Sequence, residues 1–342
     1  MTTQLEISTA GALGRVTLNR PEAINALSLA MIEGITETLE RWRDDPKIGA
    51  VLFDGAGPKG FCSGGDVRAM RMLVLEGKAA EANAYFAAQY RMNGLIAGYA
   101  KPLIVLSHGV VMGGGIGIAG HCGFRLTQPG ARFAMPESAI GFFADVGVNA
   151  ILNKAPLNRA LLFLMSGVSV GASDAVALGL ADAVVKPEHA GDIRAGLAVA
   201  AASIHPETAI VRLIEAESIV AGDAPFCALA DLLPAGTPES PAAFLAGVAA
   251  IPALEEIAAL LKTRSPAAMT ATFHAQLEAR KTMDVQRTLA IDLRLARTMA
   301  ELPDFAEGVR AVLVDKDQKP VWSATSLDEF DAAPILRAFA AG

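Results

Sequence analysis

The sequence is poor in the features that mark several protein classes. Positive charge is in the minority: 29 Lys and Arg stand against 36 Asp and Glu, for a net charge of −7. The two signs are mixed along the chain without a basic patch or arm, so nucleic acid is not an expected partner. Cysteine is scarce, with Cys62, Cys122 and Cys227 the full set. Their spacing fits neither a zinc site nor a disulfide framework, so reduced, mostly buried thiols and no metal are expected. No apolar stretch reaches the ~20 residues of a membrane span. The opening MTTQLEIS lacks the basic-then-apolar pattern of an export signal. These absences point to a cytoplasmic chain without a membrane partner. Repeats and low-complexity runs are lacking too. What the chain does have is core material: 52% hydrophobic residues against 19% charged, over 342 positions, which argues against disorder.

Strand and helix signals alternate through the first part of the chain. Residues 4–8 and 13–18 read as a strand pair turning at Gly11. Met31, Ile35, Leu39 and Trp42 fall on one face of a helix over 29–43, with Ser28 as its cap. A short buried strand at 50–53 leads into a loop from Asp54 to Gly65, and Asp66 suits the start of the next helix. A helix over 79–98, a buried strand over 102–107, a small-residue helix after Gly115, and strands at 123–127, 131–134 and 182–186 follow. Such alternation predicts an α/β fold with crossover connections. Near Pro206 the character changes, and helical patterns dominate at 253–263, 267–281 and 284–301. The segment 222–243, with Pro225, Pro234, Pro238 and Pro241, reads as a loop. The expected organisation is a core region at 1–205 followed by a helical region at 206–342.

Residues suited to chemistry gather in three segments. The first, Phe61-Cys62-Ser63-Gly64-Gly65-Asp66, links a strand to a helix. The second, from His108 through Gly113-Gly114-Gly115, runs from a strand into a helix. A turn that opens a helix presents backbone N–H groups without intrahelical partners, and glycine lets a ligand approach them closely. Two such turns facing each other would hold one developing oxyanion. Tight turning and close packing explain the glycines equally well at this point. Gly115, Gly117 and Gly120 also spell G-x-G-x-x-G, but after several strands instead of at the start, so no dinucleotide cofactor is expected.

The third segment is Met135-Pro136-Glu137, followed by Phe142-Phe143-Ala144-Asp145-Val146-Gly147. Glu137 lies among Phe133, Met135, Ile140, Phe142 and Phe143, where a carboxylate must be paired, hydrogen-bonded or raised in pKa. A lone acid reads as a helix cap or an ion-pair partner. Two acids in one apolar stretch after a glycine-rich turn read as acid/base chemistry. His108 and His121 read as packed or hydrogen-bonded histidines.

Together with Asn19-Arg20-Pro21, Asn25-Ala26-Leu27 and Lys101-Pro102, these segments make residues 5–205 similar to the crotonase (enoyl-CoA hydratase/isomerase) superfamily. The resemblance implies a ββα spiral core followed by a helical C-terminal region, and a homo-oligomer. It implies an acyl-CoA substrate, with coenzyme A part of that substrate and no separate cofactor. The amides of Gly65 and Gly114 would form the oxyanion hole for a thioester carbonyl. Within the superfamily, the run from Met135 to Gly147 resembles the 3-hydroxyisobutyryl-CoA hydrolase branch. So do Ser265-Pro266, the run from Asp304 to Ala311, Asp315-Lys316-Asp317 and Trp322. That implies thioester hydrolysis in valine breakdown, with 3-hydroxypropionyl-CoA as a second substrate. Glu137 would be the base or nucleophile and Asp145 its partner. A hydratase or isomerase of a short-chain acyl-CoA is the alternative, although hydratases place a second glutamate where Gly117 stands. Two departures touch acyl preference: Ala144 stands where proline is usual, and Val148-Asn149-Ala150 replaces a glycine-aromatic run. The CoA portion is expected along Lys59, Phe61, Ser63, Gly64, Asp66, Arg68, Gly113 and Phe142, with Arg280 or Lys281 as further basic contacts.

Overall fold

Side-chain alternation near the N-terminus becomes a hairpin in the computed structural model, which describes residues 4–340. Strands β1 (Leu5–Ala10) and β2 (Leu13–Leu18) pair antiparallel across Gly11, whose φ of +60° suits glycine. The other strands are β3 (Ala50–Gly55), β4 (Gly60–Cys62), β5 (Leu103–Ser107), β6 (Val110–Met112), β7 (Phe124–Thr127), β8 (Arg132–Ala134), β9 (Ala183–Val185) and β10 (Ser218–Ile219). They form a seven-stranded sheet ordered β1-β2-β3-β5-β7-β9-β10 and a three-stranded sheet ordered β4-β6-β8. From β2 through β9 the larger sheet is parallel. Its central strands read as unbroken apolar runs because both faces are covered. The expected α/β class is the class observed. Strand β4 lies inside a stretch expected as loop, since three residues are too few to show a period. Its first residue is glycine for a reason: a Cβ at Gly60 would stand 2.3 Å from Val110 N.

The chain forms two compact units that interleave along the sequence. The first takes residues up to Gly65, Arg91–Phe133 and Val170–Ala224. It holds the larger sheet, with Leu13, Leu52, Ile104, Leu106 and Leu126 packed against Ile193, Leu197 and Ile210 of the helices Ala190–Ala201 and Pro206–Glu217. A buried Asp54 ties this unit across the sheet. It accepts from Thr17 Oγ1 at 2.6 Å, from Arg15 at 2.6 Å and from Arg194 at 3.0 Å.

The second unit takes Asp66–Tyr90, Ala134–Ser169 and the chain from Pro225 onward. It is mainly helical. The helix Pro266–Thr282 is enclosed over most of its length, while Val285–Glu301 buries one stripe: Leu289, Asp292, Leu295, Ala296 and Met299. Phe142 stacks on Phe86 with ring centroids 5.3 Å apart and also meets Phe143 and Phe305. The segment 222–243 departs from the expected loop, because it contains the helix Pro225–Ala230 and leads into Pro241–Ala249. Both helices begin on proline, whose missing N–H is not needed at the first helical position. Among the described residues no single helix is long and apolar enough to cross a membrane.

Candidate active site

The first unit supplies main-chain donors. Residues 23–27 lie along 60–65 and set their path: Ser63 N and Oγ donate to Ile24 O and Ala23 O at 2.9 and 3.0 Å, and Leu27 N donates to Gly64 O at 2.8 Å. Asn25 organises this contact. It is buried, takes the left-handed φ of +55° that asparagine tolerates, and accepts from Arg20 N through Oδ1 at 2.8 Å. Its Nδ2 donates toward the carbonyls of Ala56, Gly60 and Phe61 at 3.0, 3.1 and 3.0 Å. Gly64 lies beside the second glycine turn at φ +110°, a conformation that requires glycine, although a Cβ on it would make only ordinary contact, 3.5 Å from Gly114 N. Gly115 must also be glycine, since a Cβ there would meet Cys62 O at 2.7 Å.

Two backbone donors emerge from these turns. Gly114 opens the helix Gly114–His121, so its N–H has no intrahelical acceptor. Neither Gly65 N–H nor Gly114 N–H has a hydrogen-bond partner among the described residues, and Gly114 is buried. A buried donor left open costs about 1–3 kcal/mol, so such groups call for an explanation.

The second unit supplies carboxyls. Pro136 starts a short 3-10 helix, Pro136–Ile140, that ends on Gly141 at φ +68° and carries Glu137 in its first turn. Gly141 lets this turn touch the helix Pro303–Val309 backbone to backbone, since a Cβ on it would fall 2.1 Å from Asp304 O. Ser138 Oγ anchors the turn on Met165 O at 3.0 Å. Glu137 is 9% exposed, and its Oε2 is buried without a hydrogen-bond partner among the described residues. Burial, and then the charge of Asp145, push its carboxyl well above the usual range.

Asp145, 6% exposed, accepts a 2.6 Å hydrogen bond from Tyr90 Oη. Burial raises its pKa to about 7 against the lowering effect of that bond. Beyond it, Val146 has φ +56°, an uncommon conformation for a β-branched residue, and Gly147 has φ +73°. Gly147 N donates to Asp292 Oδ2 at 2.7 Å. Asp292 is fully buried, and burial followed by the Asp145 charge raises its pKa well above normal. Glu137, Asp145, Asp292 and Tyr90 thus share one unit, and sequence reasoning missed two of these four, Tyr90 and Asp292. One signal was available for Asp292: it lies on the apolar stripe of its helix, between Leu289 and Leu295. Among the described residues no group of His, Cys, Asp or Glu is arranged to hold a metal ion.

The residues expected along CoA are distributed as follows. In the first unit, Lys59 is exposed, Phe61 is fully buried with its ring in the core, and Gly113 precedes the Gly114 helix at φ +49°. Ser63 and Gly64 are held as described. In the second unit, Asp66 caps the helix Val67–Leu75 by accepting from Ala69 N at 3.3 Å. Arg68 donates to Leu313 O at 2.6 Å, and Phe142 belongs to the aromatic cluster. Arg280 donates to Ala155 O at 2.5 Å, and Lys281 pairs with Glu278. His108 bonds Gly57 O through Nε2 at 2.8 Å, His121 is buried, and all three cysteines are buried thiols.

The sequence profile of the enoyl-CoA hydratase/isomerase family matches residues 13–339. The mitochondrial 3-hydroxyisobutyryl-CoA hydrolase of Xenopus laevis is 35% identical over 332 residues, covering 94% of this chain and 85% of the relative. The human protein of the same name is 32% identical over 93% of this chain and 84% of its own. Among solved structures, a carnitinyl-CoA dehydratase from Mycobacterium thermoresistibile superposes with a TM-score of 0.89 at 31% identity, covering 98% of this chain and 96% of that one. An enoyl-CoA hydratase from Rhodobacter sphaeroides 2.4.1 also gives 0.89, at 29% identity, covering 99% and 97%.

Proposed function

This chain belongs to the enoyl-CoA hydratase/isomerase family, and from that premise we propose that it is an acyl-CoA thioester hydrolase that splits 3-hydroxyisobutyryl-CoA into 3-hydroxyisobutyrate and CoA. The amides of Gly65 and Gly114 receive the thioester oxygen as negative charge develops on it, binding the transition state better than the ground state. Glu137, once ionised, takes a proton from a water that attacks the carbonyl carbon, or attacks that carbon itself to give a mixed anhydride that water then opens. The C–S bond breaks and CoA leaves as a thiolate. Asp145, with its pKa near neutrality, returns a proton to the sulfur. Its Tyr90 bond orients it for the 3-hydroxyl of the acyl group. Such an enzyme serves valine breakdown, and 3-hydroxypropionyl-CoA, which keeps the 3-hydroxyl and lacks the methyl branch, is a second substrate.

The observation that carries this reading is Glu137: a buried carboxyl whose Oε2 has no partner among the described residues and whose pKa is raised. The experiment is Glu137→Gln, which keeps volume and polarity while removing the base. CoA release should fall ~10²–10⁴-fold, the usual scale of general-base catalysis, with thioester binding retained. Near-normal turnover by the variant removes Glu137 from the mechanism. The solved structures named above favour a second reading, a hydratase or dehydratase. Gly117 in place of a second glutamate weighs against it.

A further inference from the structure

Asp292 stands outside the mechanism just given, yet it is the most deeply buried acid of the second unit, with no exposed surface. One of its oxygens, Oδ2, accepts from Gly147 N at 2.7 Å, across 145 positions of sequence. The other, Oδ1, is buried without a hydrogen-bond partner among the described residues. A core built for stability alone would place an apolar residue on this stripe of the helix Val285–Glu301. What the acid does hold is a turn that has little reason to form unaided. Val146 at φ +56° and Gly147 at φ +73° are consecutive left-handed residues, the first of them β-branched. The same turn is held on its other side by Thr272 Oγ1, which accepts from Ala144 N at 3.1 Å, and by Asn149 Nδ2, which donates to Ala144 O at 2.8 Å. Asp145 is the side chain this bracket presents.

We propose that Asp292 is a positioning residue for the thioester reaction: by accepting the Gly147 N–H it fixes the Asp145–Gly147 turn, and with it the carboxyl that Tyr90 orients. The inference rests on the hydrolase reading and adds to it a residue on another helix. Asp292 touches no reacting atom, so its loss acts through Asp145 on kcat and leaves substrate binding in place.

The test compares Asp292→Asn with Asp292→Leu in steady-state CoA release from 3-hydroxyisobutyryl-CoA, alongside thermal melting. Asparagine keeps an acceptor for Gly147 N and should hold kcat within about threefold of the parent. Leucine fills the same space without an acceptor and should lower kcat ~10-fold or more, with KM within about threefold and melting at or above the parent value. A folded leucine variant with unchanged kcat overturns the proposal. So does a folded asparagine variant that has lost kcat more than ~10-fold, because the ionisable group and not the acceptor would then matter. Where the leucine variant does not fold, Asp292→Val, which also lacks an acceptor for Gly147 N, is measured in its place against the same criterion. If the parent enzyme releases no CoA from any acyl-CoA, the hydrolase reading itself fails. If the parent is active and only the variant pattern is wrong, the reading survives and the role of Asp292 falls.

Discussion

The two units contrast in how they prepare for chemistry. The first offers main-chain amides, fixed by glycine geometry and by the buried amide of Asn25. Its open donors carry no charge and do not titrate. The second offers the enclosed side-chain acids Glu137, Asp145 and Asp292, two of them with a carboxyl oxygen lacking a partner among the described residues, and burial raises the pKa of all three. On the proposed hydrolase mechanism the difference is a division of labour between dipole and proton. Polarising a carbonyl needs rigid donors and is insensitive to pH, whereas delivering and removing protons needs groups held near their titration point. Mutations in the two units should therefore fail differently.

The largest effect in the comparison is the loss at Glu137→Gln. Next comes Gly114→Pro, which removes one amide donor at a helix start where proline is well tolerated. We expect kcat to fall ~10²–10³-fold, the scale of a lost oxyanion donor, with the pH profile unchanged. A shifted acid limb in that variant would break the contrast. In the second unit, activity should depend on pH. Glu137 is the base, and burial raises its pKa, so the ionised form is scarce in acid and kcat in a pH–rate profile should fall as pH drops.

Stability should move the other way, and its sign follows from proton counts. Asp145 titrates near ~4 when unfolded and at about 7 when folded. Below both values its burial costs nothing extra. As pH rises between them the unfolded chain releases a proton the folded chain keeps, so stability falls until the folded group ionises as well. Asp145→Asn should therefore raise the melting temperature at pH 8 relative to the parent and leave it nearly unchanged at pH 4. Equal shifts at both values would mean the buried charge is not the cause. The smallest effect sharpens the first unit. Asn25→Ala deletes the bonds from Nδ2 and places alanine at φ +55°, at a cost of about 2–4 kcal/mol in stability. Urea unfolding measures it, and a loss under ~1 kcal/mol would show that the 60–65 path is held by other means.

Much of the architecture was legible because its determinants are local. Alternation gave β1 and β2, an apolar stripe gave the helix Leu29–Arg43, and glycine runs marked both strand-to-helix turns. Other features rest on contacts distant in sequence. Tyr90 reaches Asp145 across 55 positions, and Asp292 reaches Gly147 across 145. No local period announces either. Asn25 stood out in the sequence as part of a family motif, and only the three carbonyls around Nδ2 reveal that it organises a loop over 30 positions away. The prolines at 225 and 241 were read as breakers where they start helices, because proline serves both ends of that distinction.

The most direct test of the account is a wild-type assay that follows thiol and absorbance together on 3-hydroxyisobutyryl-CoA, 3-hydroxypropionyl-CoA and a short enoyl-CoA. Stoichiometric release of CoA thiol from the 3-hydroxyacyl thioesters, with little change in enoyl absorbance, is the predicted result. Interconversion of enoyl and hydroxyacyl thioesters without thiol release would contradict it and assign the acids of the second unit to hydration chemistry.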